Sequence, residues 1–282
     1  MEKNSLPVVF RVINLIFVIL LCLSILIPLW MVIATSLSSN EVAAREGFIL
    51  IPKGLELTSY IAVFTSGGYF RSLIRSIWIT IAATVISMVI SGTMAYALAQ
   101  KNLIWRKGFF NIVLLTMVFD GGIIPFYMVV RNLGMINTYW SLLIPMAVST
   151  YNLILLRNFF RSIPESLMES ARLDGAGEFN ILLRIVLPVS IPILAAITLF
   201  YAVMHWNRYM EVIMFINSSS KYTLQVLLRQ LIFHSEGDGA YSIMVNNFKM
   251  AVMVISMLPI LILYPFIQKH FISGLMLGSI KG

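Results

Sequence analysis

Glu165, Glu169, Arg172 and Asp174 crowd into ten residues of a chain otherwise poor in charge, and Gly175 and Ile185-Val186-Leu187-Pro188 come after them. Such a set offers ion pairs and hydrogen bonds to a partner surface rather than covalent chemistry. No nucleophile stands beside a base, no glycine-rich Walker loop occurs, and no histidine, cysteine or carboxylate group has metal-ligand spacing. The reading is therefore of a chain with no catalytic residues, no metal and no cofactor of its own. His205 is separated in sequence from His234 and His270 and is not read as a ligand. One further acid stands apart: Asp120, in Phe119-Asp120-Gly121-Gly122-Ile123-Ile124-Pro125.

The elements that must position these residues are membrane helices. Of 282 residues, 59% are hydrophobic and 11% charged, against about 45–50% and about 25% in soluble domains. Several runs reach the roughly 20 apolar residues that cross a bilayer as a helix. Backbone groups in lipid must be satisfied within the segment, so long apolar runs are helices. The fold class is an all-α polytopic membrane protein. The net charge of +8 does not indicate nucleic acid, because the cations sit in short loops between apolar runs. Cys22 lies inside the first run and has no second cysteine to pair with. That first run is too long for the roughly 7–15-residue core of a signal peptide and reads as a retained span despite Pro28.

Six spans are expected at about 9–35, 72–99, 109–131, 139–160, 187–212 and 249–270. Residues 1–8 form an N-terminal segment, and 9–282 a single transmembrane domain with a charged loop at 161–188 and a tail at 271–282. Residues 36–71 read as an external loop with short elements, and 213–248 as a second large polar segment. The turn at 100–108 carries Lys101, Arg106 and Lys107, while that at 132–138 carries no cation. The asymmetry places both termini and the 161–188 loop in the cytoplasm.

In the second span Ala83, Ser87, Ser91, Ala95 and Ala99 recur every four residues, a small-residue stripe that lets another helix approach closely. In the third, counting from Phe109 sets Asp120 about 17 Å deep. Gly121, Gly122 and Pro125 weaken the helix there, and a broken helix at that depth is tolerated where it is buried or lines a cavity. In the charged loop, Ser162 and Glu165 fit a capping box and Gly175 a left-handed C-terminal cap, giving a helix over about 163–173. Met168, Ala171 and Gly175 share its small or apolar side. Glu169 and Arg172 stand at pairing distance, i and i+3. A second helical piece runs from about Gly177 to Leu187 and ends near Pro188.

Glu169-Ser170-Ala171-Arg172-Leu173-Asp174-Gly175 with Ile185-x-Leu187-Pro188 resembles the EAA loop of bacterial ABC importer permeases, with Ser170 in place of the usual alanine. Tyr96-Ala97-Leu98-Ala99, Trp206-Asn207 and the tail Gly274–Gly282 extend the likeness over nearly the whole chain. The chain is similar to carbohydrate-type, binding-protein-dependent permeases, the maltose-type second permease among them. Phe119–Pro125 resembles a subgroup associated with oligosaccharide uptake. The resemblance implies the type I ABC importer permease fold, six transmembrane helices and a place in the bacterial cytoplasmic membrane. The implied partners are a second permease chain, expected to be a different one, an ABC ATPase dimer that binds Mg-ATP, an extracytoplasmic solute-binding protein, lipid and a carbohydrate solute. It further implies that Glu165, Glu169, Ser170, Ala171, Arg172, Asp174, Gly175, Ile185, Leu187 and Pro188 couple to the ATPase, and that Gly278, Lys281 and Gly282 reach it from the tail.

Asp120 is either a contact to a sugar hydroxyl or cation in the pathway or a structural hydrogen bond to a neighbouring helix. Tyr127, Tyr151, Asn152, Trp206 and Asn207 supply the aromatic faces and amides that hold sugars, or else pack and anchor. Alternatives are an ABC permease for a peptide or phosphodiester and an ion-coupled secondary transporter. The latter calls for repeated hydropathy and ionisable relays, which the chain lacks. A membrane enzyme would need clustered catalytic residues, which it also lacks.

Overall fold

The computed structural model describes residues 8–45, 49–234 and 241–278, and every regular element among them is helical. Helix α1 (Val8–Ser36) passes through Pro28 without a break. Its large apolar side chains from Val9 to Trp30 are exposed on all sides, the pattern of a helix that faces lipid or a partner. Short helices α2 (Asn40–Arg45) and α3 (Thr58–Thr65) come next, and then α4 (Gly67–Ala99).

The remaining predicted spans are more broken than the hydropathy suggests. The third is α5 (Arg106–Val118) and α6 (Ile123–Asn132), bent by 120°. The expected crossing over 109–131 is thus sharply bent, the form of a broken span or a re-entrant loop. Gly122 makes the bend possible, with φ of +81° that a Cβ would oppose. The fourth is α7 (Trp140–Leu143) and α8 (Thr150–Ser162), separated by a non-helical stretch around Pro145. The charged loop contains α9 (Glu165–Leu173) and α10 (Glu178–Ile181). A π-helical turn at Leu182–Val186 leads from α10 to α11 (Leu187–Val189). The fifth span is α12 (Ile191–Trp206), bent by 87° from the helical segment before it. After α13 (Met210–Phe215) come α14 (Leu224–His234) and α15 (Tyr241–Gly278). The stretch read as a polar segment at 213–248 is thus substantially helical. Three helices, or up to five segments if each bent pair counts once, are long and apolar enough to span a membrane among the described residues.

Two compact units divide the chain: residues up to Phe70 with Leu228–Met257, and Arg71–Leu227 with residues from Leu258. In the first, the Trp30 indole donates to the Leu50 carbonyl at 2.7 Å and Ser36 bonds the Tyr60 hydroxyl at 2.6 Å. Asn247 donates to the Ser38 carbonyl, and Tyr69 meets Phe248 edge-on at 5.0 Å.

The second unit contains the charged loop. Ala83, Ser87, Ser91 and Ala95 of the stripe are fully buried. The stripe does more than allow approach: Ser87 Oγ bonds His205 Nε2 at 2.9 Å and Ser91 Oγ bonds the Tyr201 hydroxyl at 2.6 Å. Lipid gives apolar helices no reason to associate, so such packing and hydrogen bonds hold α4 to α12. Arg157 of α8 is buried, donates to the Leu98 carbonyl at 3.4 Å and lies 3.9 Å over the Phe110 ring. One core cluster joins Tyr96, Leu98, Leu156, Phe160, Ile181, Val186 and Tyr201, at the base of the charged loop.

Candidate functional site

Pro164 decides how the charged loop begins. It holds Ile163 extended, at ψ of 131°, so α8 ends at Ser162. Ser162 donates back to the Phe159 carbonyl at 2.7 Å. The expected capping box does not form, and α9 starts with no side-chain cap. The other end is as expected. Gly175 takes φ of +83°. Its N–H bonds the Arg172 carbonyl at 3.0 Å, and that of Ala176 bonds the Ala171 carbonyl at 2.9 Å. These are the paired bonds of a Schellman cap.

Arg172 does not pair with Glu169. Its Nε donates to Glu178 Oε1 at 2.8 Å, and its Nη2 donates to Gln100 Oε1 at 2.9 Å. Glu178 lies six residues ahead, but the tight cap turns the chain back and brings it within reach. Tyr96 of α4 donates to Glu178 Oε2 at 2.5 Å. The Arg172 bond, and then the Tyr96 bond, hold the Glu178 carboxyl below its ordinary range. Lys101 forms an ion pair with Glu165 at the start of α9.

The helix therefore has two sides. Met168 and Ala171 pack inward against the core cluster, as do Ile185 and Leu187. Ala171, expected on a docking side, instead seats the helix on its own protein. Glu169, Ser170, Asp174 and Gly175 are exposed. Glu169 makes no ion pair with another described residue. Leu173 is 89% exposed and Phe179 67%. Sequence reading missed these two, although an apolar residue beside Asp174 on an amphipathic helix was the available signal. Pro188 stands inside α11, and the break comes after it at Ser190. Gly278 closes α15; Lys281 and Gly282 lie outside the described residues.

The second feature is a cavity of about 840 Å³. Asp120, Gly122 and Ile123 at the α5–α6 bend line it, with Thr116, Ser149 and Thr150. Five methionines, Met94, Met146, Met204, Met210 and Met214, form much of its apolar wall, and Glu211 adds a second carboxylate. The backbone N–H of Gly122 donates to Asp120 Oδ1 at 2.9 Å, which pins the acid to its own turn. No Lys, Arg or His lines the cavity among the described residues.

The other expected pathway residues do not gather there. Tyr127 stacks on Phe215, with ring centroids 6.2 Å apart. Tyr151 is exposed, Asn152 is buried in the first turn of α8, and Trp206 is buried. Asn207 Nδ2 bonds the Val203 carbonyl one turn back at 2.9 Å. Arg208, which the sequence did not single out, is buried and donates to the carbonyls of Leu142 and Met146.

Apolar helices exposed to their surroundings, two sharply bent helix pairs, a cavity and a charged loop that presents one free side define a multi-pass membrane transport subunit. The chain belongs to the family of binding-protein-dependent transport system inner membrane components, which it matches over residues 103–276. It is 43% identical over 274 residues to the polygalacturonan/rhamnogalacturonan transport system permease protein YtcP of Bacillus subtilis (strain 168), covering 94% of this chain and 96% of that one. It is 29% identical to the arabinooligosaccharides transport system permease protein AraQ of Halalkalibacterium halodurans, with all of both chains covered. A crystal structure of a bacterial ABC transporter involved in the import of the acidic polysaccharide alginate contains a chain that superposes with a TM-score of 0.88 at 29% identity. The match covers 96% of this chain and 99% of that one. The fold is that of type I ABC importer permeases, and such a subunit is not itself an enzyme.

Proposed function

We propose that this chain is one of two permease subunits of an ATP-driven importer that carries a carbohydrate, an oligosaccharide in particular, received from an extracytoplasmic binding protein. The cavity supports this reading most directly. Its hydroxyls (Thr116, Ser149, Thr150) and two carboxylates offer a polyhydroxyl solute hydrogen-bond partners, while the methionines give an adaptable apolar wall. The relatives are named for sugar polymers and oligosaccharides. A phosphodiester fits less well, since among the described residues the cavity lining holds two carboxylates and no Lys, Arg or His.

In this reading six helices cross the membrane with both termini in the cytoplasm, and residues 9–282 form one domain. The cations of the 100–108 turn support that orientation. The ATPase docks on the exposed side of α9, around Glu169, Ser170, Leu173, Asp174 and Gly175. The tail through Gly278, Lys281 and Gly282 makes a second contact with it. Nucleotide acts by binding the closed ATPase state better than the open one, since equal affinity would shift nothing.

The test is uptake into proteoliposomes that contain this chain with its companion permease, ATPase and binding protein. Uptake should require ATP; uptake driven by an ion gradient without ATPase would overturn the assignment. Asp120→Asn should lower uptake about tenfold, the scale of one hydrogen bond to a charged group, with assembly intact. Normal uptake by that variant would assign Asp120 to its turn alone.

A further inference from the structure

Two sets of side-chain hydrogen bonds, joined by about one and a half turns of α4, lead from the charged loop to the cavity wall. Glu178 and Arg172 in the loop hold Tyr96 and Gln100 at the end of α4, at 2.5 Å and 2.9 Å. Five residues earlier on the same helix, Ser91 Oγ bonds the Tyr201 hydroxyl at 2.6 Å. That hydroxyl also accepts the Ser149 backbone N–H at 3.0 Å. Ser149 caps α8 and lines the cavity. Tyr201 is fully buried, as is Ser91, and Tyr96 is 7% exposed. Chain continuity connects the loop only to α8 and α12. The side-chain bonds add α4, about 70 residues earlier in sequence.

We infer that Tyr96 is the positioning residue through which movement of the charged loop enters α4, and that Ser91 and Tyr201 pass it to Ser149 in the cavity wall. This rests on the importer reading above. The chemistry suits the task. The Tyr96 ring lies in the core cluster, so its hydroxyl cannot swing away without repacking. The carboxylate it holds is fixed by a guanidinium on its other oxygen. A packed interior does not deform continuously, so α4 must move with the loop or the Tyr96–Glu178 bond must break. Spatial succession alone does not establish coupling; a double-mutant cycle does.

The experiment uses the complete transporter in lipid, with two readouts: ATP hydrolysis with and without loaded binding protein, and solute uptake per ATP. Tyr96→Phe keeps the ring and removes one hydroxyl. The ratio of stimulated to basal hydrolysis should fall roughly fivefold or more, within the usual span of allosteric coupling, while basal hydrolysis and the amount of assembled complex stay unchanged. Tyr201→Phe should do the same, and the double variant should be no worse than the poorer single one. Losses that multiply would show two independent packing effects and overturn the relay, as would an unchanged ratio in Tyr96→Phe. Should Tyr96→Phe not assemble, Ser91→Ala, small for small, reads the distal step by the same ratio. A wild-type complex without ATP-driven uptake would instead overturn the importer reading, so the two failures are distinct.

Discussion

Glu169→Lys is expected to reduce ATP-driven uptake about thirtyfold or more, the low end of the loss when one member of a buried interfacial charge pair is disrupted. The protein itself should fold and reach the membrane in normal amount. Glu169 is exposed and forms no ion pair with a described neighbour, so reversing its charge leaves the intramolecular network of Arg172, Glu178, Tyr96 and Gln100 in place. The deficit should appear as weaker co-purification of the ATPase. Arg172→Ala would not make the same point, because it would also release Glu178. Uptake by Glu169→Lys equal to wild type would remove Glu169 from the docking surface and leave Leu173 and Asp174 as its centre.

Arg208→Met is expected to cost roughly 2–4 kcal/mol of stability, since it leaves the buried Leu142 carbonyl and the part-buried Met146 carbonyl without their donor. Leu142 lies in α7, and Met146 lies within the non-helical stretch between α7 and α8. Backbone that is not helical cannot satisfy itself, and in lipid nothing else will. Thermal unfolding of the purified protein in detergent should show the loss. Arg208→Lys should recover only part of it, because an ammonium cannot reproduce the planar fork that reaches both carbonyls. A wild-type melting temperature in Arg208→Met would mean that this stretch has other support.

Local signals carried well from sequence to structure. Gly175 reads as a left-handed cap and is one. Gly121, Gly122 and Pro125 read as a weak point in a helix, and the chain turns through 120° there. The small-residue stripe on α4 reads as a close-packing face and is fully buried over four of its members. Signals that depend on a competing neighbour did not carry. Ser162 has the right type and spacing for a cap, but Pro164 two residues on holds the intervening backbone extended and ends the helix first. Arg172 has an acid three residues before it, yet the turn at Gly175 delivers a better placed one from six residues after. The cavity was legible at Asp120 alone. Its methionine wall and Glu211 come from four separate segments, and hydropathy sees such methionines only as apolar. Arg208 was invisible for a related reason: a cation at the end of a span reads as an interfacial anchor until its partners are known.

The π-helical turn at Leu182–Val186 sets a phase. A π turn accommodates one residue more than the α-helix around it, and each residue of an α-helix advances about 100°. Deleting a single residue there would let the turn relax to ordinary α-helix. Because the π turn absorbs that extra residue, α9 would then keep nearly its present direction relative to α11, whereas a residue added or removed in the α-helical turns beside it would dial α9 by about 100°. The direction in which Glu169 points is thus stored as a count of residues in the helical turns around Leu182 and Val186, which lie in the protein's own core cluster. Length changes in the flanking turns of α10 and α11 should be tolerated far less well than loss of the one extra residue of the π turn.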